Sequence, residues 1–264
     1  MTAAGVPEWA TLVRAPNPSP MTLEGTNTWV LRAPGAPACV VVDPGPDDDG
    51  HLSAVAAHAP VAAVLLTHGH PDHTDGVPGF GKKTDNPAVR SDDLADGDAL
   101  AELVDVTGLR IEVLATPGHT ADSRCFAVGP ADRRPTAMLT GDTVLGRGTT
   151  VVAWPDGRLG AYLDSLRRLH DVGAAHAPMT VLTGHGPVLP DLAEAAAHYL
   201  AHRAERLAQV RTALAEGAET AAEVVAMVYR DTDRALWPAA EMSVRAQLEY
   251  LDFARAAEGG NAQV

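Results

Sequence analysis

Residues 67–76 read Thr67-His68-Gly69-His70-Pro71-Asp72-His73-Thr74-Asp75-Gly76, directly after the apolar run Val61-Ala62-Ala63-Val64-Leu65-Leu66. A short apolar run bounded by turn residues predicts a buried strand. Gly69, Pro71 and Gly76 predict that the chain turns sharply at its end. Three imidazoles and a carboxylate then crowd into positions 68–73, which packing alone does not explain. Imidazole nitrogen with carboxylate oxygen is a donor mix suited to Zn²⁺ and related transition metals. The pattern H-x-H-x-D-H after a strand therefore points to a metal site.

The same design recurs on both sides of this stretch. Cys39-Val40-Val41-Val42 leads into Asp43-Pro44-Gly45, and Arg110 to Leu114 leads into Thr116-Pro117-Gly118-His119. Ala137-Met138-Leu139 leads into Thr140-Gly141-Asp142, and Thr180-Val181-Leu182 leads into Thr183-Gly184-His185. Each is a short predicted strand, a few small turn residues and one His or Asp. In a layered sheet protein such strand ends converge on one rim, and glycine lets the backbone bend there. Taken singly each motif is weak. In series with residues 68–73 they supply about the number of ligands that a two-metal site requires.

The remaining sequence predicts helices and loops. Residues 17–22 are punctuated by proline and predict an extended opening, 24–28 a turn, and Trp29-Val30-Leu31 a strand. A short helix is predicted over Leu52 to His58, and residues 79–99 read mostly as loop. Leu159, Tyr162, Leu163, Leu166 and Leu169 recur at helical spacing, so 158–171 is an amphipathic helix with an ordinary core stripe. From Pro190 the texture becomes nearly all helical. Asp191 caps a long helix that Gly217 stops. Thr220-Ala221-Ala222-Glu223 is a capping box for a second, and Pro238, Leu248 and Leu251 mark a third. This divides the chain at 190/191. The three helices form either a helix-turn-helix unit or a helical cap. Strands interspersed with helices and irregular loops predict an α/β or α+β class.

Composition narrows the classes. The chain has 264 residues, is 46% hydrophobic and carries a net charge of −14. Both parts are acidic, −9 over residues 1–190 and −5 over 191–264, so tight non-specific binding of nucleic acid is not expected. No apolar run is long enough to span a membrane, and residues 1–20 lack the pattern of a secretory signal. Cys39 and Cys125 lie in strand-like runs, which predicts reduced, buried thiols and a cytoplasmic protein.

In order and context, His68-x-His70-x-Asp72-His73, His119, Asp142 and His185, with Asp43 upstream, resemble the motif set of the metallo-β-lactamase superfamily. The resemblance implies an α+β fold, an αββα sandwich with two metals between the edges of its sheets. It implies that His68, His70 and His119 hold one zinc, that Asp72, His73 and His185 hold the second, that Asp142 bridges them, and that Asp43 orients a ligand imidazole. Residues 22–28, the run Gly146-x-Gly148-Thr149-Thr150 and Tyr199-x-x-His202-Arg203 are similar to the β-lactamase-like protein 2 subgroup. That subgroup carries a C-terminal winged-helix-like domain, here over 191–264, and its animal member is an endoribonuclease on single-stranded RNA. With nine residues left after Arg255, a short or missing wing is expected.

Two zinc ions can share a hydroxide at neutral pH and polarise a substrate oxygen. Asp72 is the candidate to orient that nucleophile or move its proton. Thr26, Asn27 and Thr149 are candidate pocket residues, with turn formation as their other reading. Tyr199, His202 and Arg203 share a helical face predicted to wall the cleft, Arg203 meeting an anionic group. The first functional reading is a phosphodiesterase on single-stranded RNA. The second is a thioester hydrolase of the hydroxyacylglutathione hydrolase type. A β-lactamase is disfavoured, because those enzymes typically place Cys where Asp142 stands. A non-catalytic binding protein is opposed by the complete donor set.

Overall fold

The computed structural model describes residues 5–91 and 93–260, with side chains described through 252. In the first sheet, β1 (Ala10–Arg14), β2 (Asn27–Leu31), β3 (Cys39–Val42), β4 (Val61–Leu65) and β5 (Ala88–Arg90) lie in sequence order. The second holds β6 (Leu109–Ala115), β7 (Arg124–Pro130), β8 (Ala137–Gly141) and β9 (Thr180–Thr183), also in order. The helices are α1 (Asp49–Ala56), α2 (Pro71–Thr74), α3 (Val77–Lys83), α4 (Val104–Thr107), α5 (Leu159–His176), α6 (Leu192–Ala215), α7 (Ala221–Val228) and α8 (Trp237–Gly260).

Alternation along the strands builds three apolar layers. Trp29, Leu31, Val40, Val42 and Leu65 meet Ile111, Val113, Phe126, Val128, Leu139 and Leu182 between the sheets. The opposite faces of the first sheet, Val30, Cys39, Val41 and Val64, pack on Leu52 and Val55 of α1 and Phe80 of α3. On the second sheet Cys125, Ala127, Met138 and Val181 pack on Tyr162, Leu166 and Leu169 of α5. Strands buried on both faces read as continuous apolar runs, which is why β3, Cys39-Val40-Val41-Val42, is apolar throughout. This is the αββα sandwich.

The C-terminal helices join the third layer. Leu192, Ala196 and Tyr199 of α6, Val224 and Val225 of α7 and Val244 of α8 belong to the same apolar cluster as α5. Asp191 caps α6 by accepting from the amide of Glu194 at 2.9 Å, and Gly217 follows its end at φ +101°. The capping box of α7 is complete: Thr220 Oγ1 accepts from Glu223 N, and Glu223 Oε2 accepts from Thr220 N. α8 continues through Gly260, so residues 256–260 are helix rather than wing. Residues 261–264, and residues 1–4 of the stretch read for a signal, lie outside the described residues. No described helix is long and apolar enough to cross a membrane.

Two local expectations are corrected and a third gains detail. Residues 79–99 are mostly loop, but they hold the end of α3 and the edge strand β5. A Cβ on Gly79 would come within 2.8 Å of Leu52 Cδ1. The glycine that argues against helix is what lets α3 approach α1, and packing overrides propensity. Residues 19–22 are not extended: Ser19 Oγ accepts from the amides of Met21 and Thr22 and closes a turn. α1 begins at Asp49, three residues early, because the Asp48 carboxylate caps it at the amide of His51.

Strand direction then places the site. β3 and β4 are parallel, as are β8 and β9, and β6 runs with β8 because both are antiparallel to β7. The C-terminal ends of all five strands therefore gather at shared rims. Antiparallel β2 begins there, and the amide of Asn27 donates to Gly184 O at 2.8 Å across the sandwich. A Cβ on Gly141, at φ +46°, would lie 2.6 Å from Thr67 Cβ, so glycine permits the close meeting of β8 with the end of β4.

Candidate metal centre

The rim holds donor atoms in three overlapping groups: His68, His70 and His119; His68, His73 and Asp142; Asp72, His73 and His185. His70 Nδ1 lies 3.0 Å from His68 Nε2 and 3.1 Å from His119 Nε2. His185 Nε2 lies 3.3 Å from His73 Nε2 and 3.1 Å from Asp72 Oδ2. Asp142 sits between the groups. Its Oδ2 is 3.3 Å from His185 Nε2 and 3.8 Å from His119 Nε2, and its Oδ1 is 3.4 Å from His73 Nε2 but makes no hydrogen bond.

Hydrogen bonds at the outer nitrogens set the tautomers. His73 Nδ1 donates to Asp43 Oδ2 at 2.8 Å, and His119 Nδ1 donates to Val151 O at 2.6 Å. Thr67 Oγ1 donates to Asp43 Oδ2 at 2.7 Å, so it accepts from His68 Nδ1 at 3.1 Å. His68 and His119 thus turn an Nε2 lone pair inward, and His73 does so once it is deprotonated. Lone pairs facing one another repel unless a cation lies among them. Donors around a tetrahedral zinc with Zn–N near 2.0–2.1 Å are about 3.3 Å apart, close to the spacings here. The donor set fits a metal.

Electrostatics separates the rings. Burial holds His68 well below the ordinary imidazole value and lowers His119. Burial also disfavours charge on His73 and His185, but Asp142 and its neighbouring carboxylates outweigh it. His73 is held well above its usual value and His185 is pushed up to about 9. Asp142 is buried too, yet His185 and His73 keep its carboxyl well below the ordinary range. In Asp72 the bond to His185 and the charge of His73 overcome burial and lower the pKa.

A cavity of about 360 Å³ opens beside His119 and Asp142, and α6, the α7–α8 connection and α8 form its far wall. His202, Arg203 and Thr149 line it. The other residues read as substrate-binding lie elsewhere. Asn27 is fully occupied in joining the sheets, its side-chain amide donating to Thr183 O and Gly186 O. Thr26 Oγ1 accepts from Asn17 and donates to Asp72 Oδ2 at 3.4 Å. Tyr199 is buried, its hydroxyl bonded to the backbone of Leu145. Arg203 is also buried. Its Nη2 donates to Thr150 O and its guanidinium lies 5.2 Å from the centre of the Tyr162 ring. Sequence reasoning missed Thr67, Met21, Leu23 and Tyr229, while Arg206, read with Arg203 as a candidate cationic pocket for an anionic substrate, does line the cavity. Thr67 carried a signal, standing between the strand and His68; the other missed residues carried none.

A two-sheet sandwich with this donor set on its rim defines a class, and the chain belongs to the metallo-β-lactamase superfamily of metal-dependent hydrolases. Residues 21–97 match the model described as Metallo-beta-lactamase superfamily, and 220–252 match the Beta-lactamase associated winged helix domain. The chain is 31% identical over 256 residues to the Beta-lactamase-like protein 2 homolog of Caenorhabditis elegans, covering 89% of this chain and 81% of that protein. It is 33% identical to the Atrochrysone carboxyl ACP thioesterase of Aspergillus chevalieri, covering 82% and 72%. Among solved structures, a Beta-lactamase domain protein from Burkholderia ambifaria superposes with a TM-score of 0.77 at 25% identity, covering 94% of this chain and 88% of that one. Residues 220–252, which hold α7 and much of α8, therefore belong to a winged-helix domain.

Proposed function

We propose that the chain is a binuclear zinc hydrolase acting on a phosphodiester of single-stranded RNA. The metal half rests on one observation: ring nitrogens and carboxylate oxygens from separate strand ends cluster at the rim in three overlapping groups, each compact enough for one ion. His68, His70 and His119 would hold one zinc, Asp72, His73 and His185 the other, with Asp142 between. Bound there, the ions supply Lewis acidity and an activated water at neutral pH. Asp43 orients the His73 ring. Asp72, whose side chain keeps 28% of its surface exposed, is placed to orient the nucleophile or move its proton.

The RNA half rests on the cavity wall. Arg206 lies over the Tyr229 ring at 4.5 Å, a flat cationic and aromatic surface of the kind on which unpaired bases stack. His202, whose buried Nδ1 lacks a partner, adds a polar group for an anion, while Arg147 at the cavity wall is paired with Glu24. The likeness to β-lactamase-like protein 2 homologs supports this reading. The acidic balance favours a single cleft-bound strand over broad nucleic-acid binding, and the free buried thiols suit the cytoplasm.

A thioester substrate is the second reading. Met21, Leu23, Leu145, Val151 and Leu236 make much of the cavity wall apolar, which suits an acyl chain, and one relative is named a thioesterase. Turnover by zinc-loaded protein on a fluorogenic single-stranded RNA, a glutathione thioester and a chromogenic lactam tests both. Cleavage of the RNA alone is expected. Thioester cleavage with intact RNA overturns the first reading in favour of the second.

A further inference from the structure

We infer that the C-terminal helices position His119 through the strap of residues 150–154, with Arg203 and Ser243 as the positioning residues. The inference rests on the metal reading of His68, His70 and His119.

The strap has no helix or ladder of its own at 150–153, so its course is set by what it touches. His119 depends on it twice. Its Nδ1 donates to Val151 O at 2.6 Å, and its own carbonyl accepts from Ala153 N at 3.0 Å. The first bond selects the tautomer that leaves Nε2 facing His70. Moving or rotating the Val151 peptide would release that choice.

The groups that hold the peptide come from the tail. On one side of Val151, Thr150 O accepts from Arg203 Nη2 on α6. On the other, Val152 N donates to Ser243 Oγ on α8 at 3.2 Å. Further along, Trp154 Nε1 donates to Glu249 Oε2 at 3.2 Å. Arg203 is itself held, over the Tyr162 ring, whose hydroxyl donates to Thr143 O at 2.7 Å. Arg203 and Ser243 are 3% and 6% exposed. Apolar side chains would pack these helices on the strap equally well, whereas a buried guanidinium is costly unless hydrogen-bonded. Packing fixes distance. Directed bonds to the peptides flanking Val151 fix its rotation, and rotation aims the carbonyl at His119. Metal-bound histidines depend on such outer bonds for ring orientation. The tail thereby completes the His119 side of the centre.

The test uses the full-length chain and two measurements. ¹⁵N spectra of the histidine rings in metal-free protein read the His119 tautomer. Chelator competition reads the two metal affinities. Wild type is expected in the Nδ1–H form. Ser243→Ala and Arg203→Met are expected to give mixed tautomers and to weaken one metal site about 10–100-fold with the other unchanged; Ser243→Thr restores both. Folded variants with the wild-type tautomer and wild-type affinities overturn the inference, as does equal weakening of both sites. Ser243→Ala removes a single hydroxyl and decides the matter if Arg203→Met does not fold. If wild type takes up no metal, the metal reading fails, and the tautomer still decides the positioning.

Discussion

Asp43 Oδ2 lies 2.8 Å from His73 Nδ1, with both side chains sealed from solvent, and the same carboxylate accepts from the amide and hydroxyl of Thr67. One group thus organises the ends of β3 and β4 and reaches His68 through Thr67. Asp43 is held at φ +52°, a backbone region that L residues rarely adopt. Asp43→Asn keeps the shape but removes the charge that fixes the His73 tautomer. Metal affinity is expected to fall about 10–100-fold, measured by chelator competition, with the far-UV circular dichroism of wild type. Unchanged affinity would show that Asp43 supports the turn alone.

Asp142 stands between the two donor groups and is the shared carboxylate of the rim. Asp142→Ala is expected to abolish turnover and weaken the second metal while the fold survives, since it relieves the burial of a charge. Metal content after reconstitution and a melting curve check this. Activity kept within about tenfold, or about 1.4 kcal/mol in the barrier, would remove Asp142 from its proposed bridging place.

The raised His pKa values give the metal-free protein a defined pH dependence. A histidine in an unfolded chain titrates near about 6.5, and His185 is pushed up to about 9 in the fold. A raised folded value means that protonation stabilises the native state. That contribution is complete below about 6.5 and is lost as pH rises through about 9. The metal-free melting temperature should fall across this window, and His185→Gln should flatten the fall. Metal uptake requires deprotonated imidazole and should strengthen as pH rises. A metal-free melting temperature that rises over this range contradicts the assignment.

Arg206 lines the cavity, bonds Gln209 and lies over Tyr229, away from the strap that Arg203 holds. Arg206→Ala is expected to raise KM for an anionic substrate about tenfold, or about 1.4 kcal/mol, with kcat and metal content unchanged, because binding rather than chemistry is lost. On RNA the salt dependence should also become shallower. Steady-state kinetics at two ionic strengths measures both, and wild-type values would leave Arg206 with a packing role.

The sequence by itself determined what depends on neighbours along the chain. The cluster His68-x-His70-x-Asp72-His73 stands out because its donors lie on one turn after one strand. The stop at Gly217 and the capping box at Thr220 are equally local. His119, Asp142 and His185 were legible because each follows a short apolar strand, and their spacing resembles a known family. Tertiary structure alone decided that these strand ends meet, since that follows from strand direction and register. It decided that Phe80 and Gly79 make a helix, because α1 lies against them. It also decided the work of Arg203. The side chain looked free to meet an anion, but it is buried over the Tyr162 ring and its Nη2 donates to Thr150 O. Hydrogen-bond direction and burial depend on residues far apart in the chain, and a linear pattern carries neither.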